Sequence, residues 1–182
     1  MEYTRKGVGI GIVGGILIAI AIIGSLQTYF TYGSGKLLLL ITDPPQWEDV
    51  AQVYIKCSKI EIHKKGGRNE DAGWITILQN LGWINLTEVL ESSKVLGEAD
   101  LQAGTYDQIR FYISNAVVTV GGGNKTAEVK SGKLRVTIMY GGITVKTGQA
   151  SKLLVDFETM VKRTPKGYMI IPKAIRAVPI ND

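Results

Sequence analysis

The sequence predicts an all-β fold, an antiparallel two-sheet β-sandwich of Greek-key, transthyretin-like or immunoglobulin-like type, preceded by one N-terminal transmembrane helix. Three observations carry this. Val8–Leu26 runs 19 residues without a charge. Removing it leaves about 150 residues, enough for one domain with its own core. Through that remainder, short segments alternate apolar with polar residues, as Ile109, Phe111 and Ile113 do with Arg110 and Tyr112, the period of a half-buried strand.

At about 1.5 Å rise per residue, Val8–Leu26 spans ~28 Å, the hydrocarbon thickness of a bilayer. A soluble core helix would keep a polar stripe, and this segment has only Ser25. A cleaved secretory signal would have a shorter apolar run and a small-x-small site, absent from TYFTYGSG. Arg5 and Lys6 precede the segment, and the next basic residue is Lys36, which predicts a cytoplasmic N-terminus. Tyr29, Phe30 and Tyr32 suit the outer interface. The expected organisation is a cytoplasmic N-terminus over 1–7, a transmembrane helix over 8–30, a linker over 31–35 and an extracytoplasmic domain over 36–182, all at the plasma membrane. Gly7, Gly11 and Gly15 are spaced four apart, which permits helix pairing and a homo-oligomer. In an alternative reading, Arg5-Lys6-Gly7 resembles the class III leader of archaeal type IV pilins, cut after Gly7, so that the mature chain starts at Val8 and joins a filament.

The domain follows in order. Lys36–Thr42, KLLLLIT, reads as a central strand buried on both faces, stopped by Asp43-Pro44-Pro45. Val50–His63 is a long strand whose apolar parity changes near Cys57-Ser58, the mark of a bulge. Lys64–Asp71 is a polar hairpin tip, and Gly73–Leu78 a third strand. Asn85–Ser92 is the one short helix expected in this domain, capped by Thr87, with Val89 and Leu90 inward. Asp100–Gly104 turns into the long strand Tyr106–Val120. Strands at Thr126–Lys130, Leu134–Tyr140, Ile143–Lys146, Lys152–Phe157, Tyr168–Ile171 and Ala174–Val178 complete an antiparallel set. In Lys152–Phe157, Leu153, Val155 and Phe157 face the core and Asp156 faces out.

Composition excludes several chemistries. Twenty-one basic and 16 acidic residues give a net charge of +5, with the signs interspersed, so no nucleic-acid stripe is expected. The lone Cys57 cannot form an internal disulfide and reads as a strand thiol. It lies six residues from the single His63, nominally on the same strand face. One His and one Cys are too few for a copper or zinc centre, so no metal and no cofactor is expected. His63 reads as a strand-end residue beside Lys64-Lys65. No Ser sits in a nucleophile elbow, so no catalytic residue is assigned and the protein reads as a non-enzyme. The carboxylate pairs Glu48-Asp49, Glu70-Asp71 and Glu98 with Asp100 read as turn residues. Calcium on Asp43 with Glu48-Asp49 is a minor alternative. The Gly121–Gly123 and Gly141-Gly142 clusters lie in hairpins with no helix after them, which rules out a phosphate cradle. Asn85-Leu86-Thr87 and Asn124-Lys125-Thr126 are candidate N-glycosylation acceptors, at Asn85 and Asn124.

The segments GKLLLLITDPP, VYIKCSKIEIHKKGG, GWITIL, LTEVL, DLQAGTYDQIRFYI, KLLVDFE and YMIIPKAIRAV occur in an order that resembles the domain-of-unknown-function family 4382, over roughly Gly35 to Val178. Its most specific pieces here are Thr42-Asp43-Pro44 and Leu101–Tyr106. The resemblance implies an extracytoplasmic β-sandwich of archaea and bacteria behind a signal or lipoprotein anchor, and it implies no activity. Within it, Leu101, Gly104 and Tyr106 form a Leu-x-x-Gly-x-Tyr turn that resembles a tyrosine corner, in which the hydroxyl bonds the backbone a few residues upstream. The expected function is display of a non-catalytic interaction domain in the cell envelope. Its partners would be the membrane and envelope proteins, glycans or subunits of a membrane or surface assembly, without nucleic acid.

Overall fold

The chain divides into two units, Met1–Gly33 and Ser34–Asp182. In a computed structural model, residues 33–42, 50–66, 72–89 and 93–180 are described, the side chains of Ala174 and Ile175 apart. The expected transmembrane helix, the leader residues Arg5, Lys6 and Gly7, and the calcium group of Asp43, Glu48 and Asp49 lie outside these residues, as does Glu70-Asp71. Among the described residues no helix is long and apolar enough to cross a membrane.

The second unit holds β1 (Ser34–Thr42), β2 (Gln52–Lys64), β3 (Trp74–Asn85), β4 (Lys94–Gln102), β5 (Gly104–Val120), β6 (Gly123–Val129), β7 (Lys133–Thr137), β8 (Ile143–Val145), β9 (Ala150–Phe157), β10 (Met160–Thr164), β11 (Gly167–Ile171) and β12 (Ala174–Ile180). They form a smaller sheet in the order β12-β9-β1-β4 and a larger one in the order β10-β11-β6-β5-β2-β3, with β7 and β8 also paired to β5. One core joins them. Leu37, Leu39, Ile41, Leu153, Val155 and Phe157 of the smaller sheet meet Ile55, Ile60, Ile62, Ile109, Phe111 and Ile113 of the larger. Phe111 and Phe157 touch edge-on across the layers, with ring centroids 5.0 Å apart.

The fold is a two-sheet sandwich, but it is not wholly antiparallel. β1 runs parallel to β9, and β11 parallel to β6. Side-chain alternation has the same period in either direction, so strand direction is decided by where the chain returns after visiting the other sheet. β1 is interior to its sheet, as its sequence predicts, yet Leu38 and Leu40 are only half-buried on its outer face.

Local departures have local causes. The bulge expected near Cys57-Ser58 is present as a register slip against both neighbours of β2. It reverses the parity of the strand. Cys57 therefore turns into the core, and His63 turns to the outer face, so the two do not share a face. β3 continues past Leu78 to Asn85 through Asn80 (φ 57°) and Gly82 (φ 75°), a left-handed kink where the sequence suggests an end. The expected helix over Asn85–Ser92 is one 3-10 turn, Leu86–Val89, with both end residues fully buried. Its cap is Asn85, whose Oδ1 accepts from the Thr87 N–H at 3.0 Å. The Thr87 hydroxyl instead accepts from the Val53 N–H of β2 at 3.0 Å. β4 and β10 have no clear alternation and went unread. Glu98 and Asp100 lie within β4 and not in a turn, with Glu98 paired to Lys36 at 2.8 Å. Ser34 and Gly35 belong to β1 and not to a linker. A Cβ on Gly35 would lie 2.2 Å from the Lys146 carbonyl oxygen, so only glycine admits that approach.

Candidate binding face on the larger sheet

Ile60, Ile62, Ile109 and Phe111 point into the core. Their neighbours in sequence must therefore point outward. Pairing aligns these outward residues in three rows across β3, β2, β5 and β7: Gln79–Lys59–Tyr112–Lys133, Thr76–Glu61–Arg110–Arg135 and Trp74–His63–Gln108–Thr137.

At the centre is Glu61, 7% exposed. Its carboxylate accepts from Arg110 Nε, from the Tyr112 hydroxyl at 2.9 Å and from the Thr76 hydroxyl at 3.4 Å, and pairs with Lys59 at 2.7 Å. Burial pushes this carboxyl up. The donors from Lys59, Arg110 and Tyr112 outweigh it and bring the pKa down to about 2. Glu61 is therefore a fixed negative charge at neutral pH. Burial, with the bond to Glu61, pushes the Tyr112 hydroxyl up, so it stays a donor.

Cations and rings interleave around it. The Arg110 guanidinium lies 3.9 Å from the Trp74 ring centroid, and Lys59 Nζ lies 4.3 Å from that of Tyr112. Arg135 approaches Trp74 at 5.4 Å, and Lys133 approaches Tyr112 at 5.6 Å. His63 is not a bare strand-end residue. Its Nδ1 is 2.7 Å from Asp107 Oδ1, its Nε2 is 3.0 Å from the Ala72 carbonyl, and its ring is tilted against Trp74 at 5.1 Å. Lys59 and Arg110 are committed to Glu61. Lys133 and Arg135 are exposed and have no carboxylate partner among the described residues. Farther along the same face, Lys56 pairs in register with Trp83. Trp83 is 49% exposed, with no described cation over its ring. The face thus offers preorganised positive charge beside an open aromatic surface.

The residues singled out from the sequence lie elsewhere. Leu101, Gly104 and Tyr106 come together where the chain crosses from β4 in the smaller sheet to β5 in the larger. Leu101 and Tyr106 are buried, and the Tyr106 hydroxyl donates to the Gln102 carbonyl four residues upstream. Asn85 has both ends of its amide engaged, since Nδ2 also contacts Glu88 Oε1 at 3.3 Å. Asn124 is exposed in β6 and accepts from the Thr119 hydroxyl at 2.7 Å. Among the described residues no group of three or more His, Cys, Asp or Glu is placed to hold a metal ion. The face itself was missed. Its signal was the charged residues alternating with Ile60 and Ile62, and with Ile109 and Phe111, which read as two separate solvated faces until pairing joined them.

Two sheets over one core, with a tyrosine-pinned crossover between them, define a β-sandwich domain. The chain belongs to the family described as Domain of unknown function (DUF4382), which it matches over residues 34–172. No curated protein matches it. Among solved structures it is similar to a "putative cell adhesion protein" from Bacteroides eggerthii, at 10% identity and a TM-score of 0.33, over 82% of this chain and 57% of that one. The chain thus spans less than two thirds of that protein's length.

Proposed function

We propose that this protein is a non-catalytic component of the cell envelope. In this reading Val8–Leu26 is a single membrane span with the N-terminus cytoplasmic. The domain stands outside and binds through the outer face of its larger sheet, alone or as an accessory subunit of a surface assembly. The observation that carries the reading is the grid around Glu61. Its charged groups are locked to one another or stacked on rings, an arrangement suited to recognition and lacking a nucleophile with its base. Protease added to intact cells tests the placement. The domain is expected to be shaved while the N-terminal segment stays in the membrane fraction; protection of the domain while other surface proteins are cut overturns it.

A second reading, a filament subunit processed after Gly7, is favoured by Arg5-Lys6-Gly7 immediately before the apolar run. Intact mass of the native protein separates the two: a chain starting at Met1 supports the anchor, and one starting at Val8 supports the filament.

A further inference from the structure

We infer that the outer face of the larger sheet binds an acidic polysaccharide, its carboxylate or sulfate groups meeting Lys133, Arg135 and Lys56 and a sugar ring lying on Trp83. The inference rests on reading this face as the binding surface and names its ligand class.

Charge is the first argument. Across β3, β2, β5 and β7 the cations Lys56, Lys59, Arg110, Lys133 and Arg135 outnumber the carboxylates Glu61 and Asp107, the latter bonded to His63, and Glu128 is exposed on the same face of β6. Glu61 is already shared by Lys59 and Arg110, and Lys56, Lys133 and Arg135, which have no carboxylate partner among the described residues, are placed to take an anion from outside. Lys133 and Arg135 are two residues apart on one strand, about 7 Å along it, and each is drawn toward a ring. Their side chains are thereby partly ordered before a ligand arrives, which lowers the entropy cost of binding.

Shape and aromatic placement narrow the class. The face is an open run of adjacent strands and suits an extended chain better than a small molecule. Trp74 and Tyr112 are overlaid by the protein's own cations, so they are not free to stack the successive bases of a single-stranded nucleic acid. Within the three rows there is no exposed large apolar residue of the kind that a membrane-inserting surface or a protein hot spot presents. Trp83 is a single open ring beside Lys56. One stacking platform next to a line of cations matches a polymer that carries both sugar rings and acidic groups.

The test uses the full-length protein in non-ionic detergent with dextran sulfate, polygalacturonate and neutral dextran. Binding is expected to both acidic polymers and not to dextran. Lys133→Glu with Arg135→Glu is expected to weaken it by roughly tenfold or more. Lys36→Glu with Lys152→Glu makes the same change of net charge on the outer face of the smaller sheet, where both residues alternate with the core residues Leu37 and Leu153, and is expected to stay within about threefold of the parent. Trp83→Ala is expected to weaken polysaccharide binding while the melting temperature holds. Equal losses in the two double variants overturn the inference, because they report diffuse charge. Equal binding of dextran overturns it, as does tighter binding of phosphatidylglycerol vesicles or oligothymidylate. Failure to bind either acidic polymer overturns the ligand class and leaves the envelope placement to the shaving experiment.

Discussion

The Tyr106 hydroxyl donates to the Gln102 carbonyl across 2.8 Å, tying the start of β5 back to the last residue of β4. The ring is fully buried, and burial also pushes the hydroxyl's pKa up, so it remains a donor at physiological pH. Tyr106→Phe keeps the ring and loses the bond, at an expected cost of about 1–2 kcal/mol. Tyr106→Ala adds a cavity and is expected to cost about 3–5 kcal/mol. Denaturant melts read both. A neutral Phe variant with an Ala variant costing under about 1 kcal/mol would remove Tyr106 from the crossover's support.

Glu61 makes stability depend on acid. Its carboxyl moves from an ordinary 4.5 in the unfolded chain to about 2 in the fold. A depressed pKa contributes stability that is complete above about pH 4.5 and is lost as pH falls toward 2. The contribution is on the order of 2–3 kcal/mol. Glu61→Ala leaves Arg110 buried without its anion and is expected to cost about 3–5 kcal/mol at pH 7. Between pH 5 and 2 the parent should lose more stability than the variant, read as midpoints of urea unfolding; parallel curves would show that Glu61 titrates normally.

Cys57 is expected to be inert in the fold. It is 1% exposed, and burial raises its thiol to about 11 despite bonds involving the Lys59 and Tyr112 backbone. Only the thiolate reacts quickly. A chromogenic disulfide reagent at pH 8 should leave the native thiol unmodified for as long as the domain stays folded and titrate one thiol per chain in denaturant. Fast stoichiometric reaction of the native protein would place Cys57 at the surface.

Gly35→Ala tests where the domain begins. The added methyl would stand 2.2 Å from the Lys146 oxygen and 2.9 Å from that of Gln149, both backbone atoms with little freedom to yield. The expected cost is about 2–3 kcal/mol, seen as a lower melting temperature. A neutral substitution would return Gly35 to the linker.

How far the sequence could be read is clear from particular residues. Leu153, Val155 and Phe157 were assigned to the core by period alone, and all three are buried. The parity change at Cys57-Ser58 located a bulge, because a bulge inserts a residue and leaves its trace in the alternation itself. β4 stayed hidden because Lys94–Gln102, in KVLGEADLQ, buries little but Leu101 and so has no period to detect. Asp156 alternates outward as its sequence predicts, yet is buried beneath Arg176 at 2.9 Å, a contact supplied by another strand.

Local chemistry, then, was determined by sequence alone: which residues favour strands, which side of each strand is apolar, where glycine and proline interrupt, and that Val8–Leu26 carries no charge. These properties depend on neighbours one to four positions away. Tertiary structure alone decided which strands adjoin, in which direction and in what register. Residues 76, 61, 110 and 135 form one row only because β3, β2, β5 and β7 pair side by side. Period-two alternation is blind to partner and direction, whereas the burial of Glu61 and the surplus of positive charge around it are properties of the paired sheet.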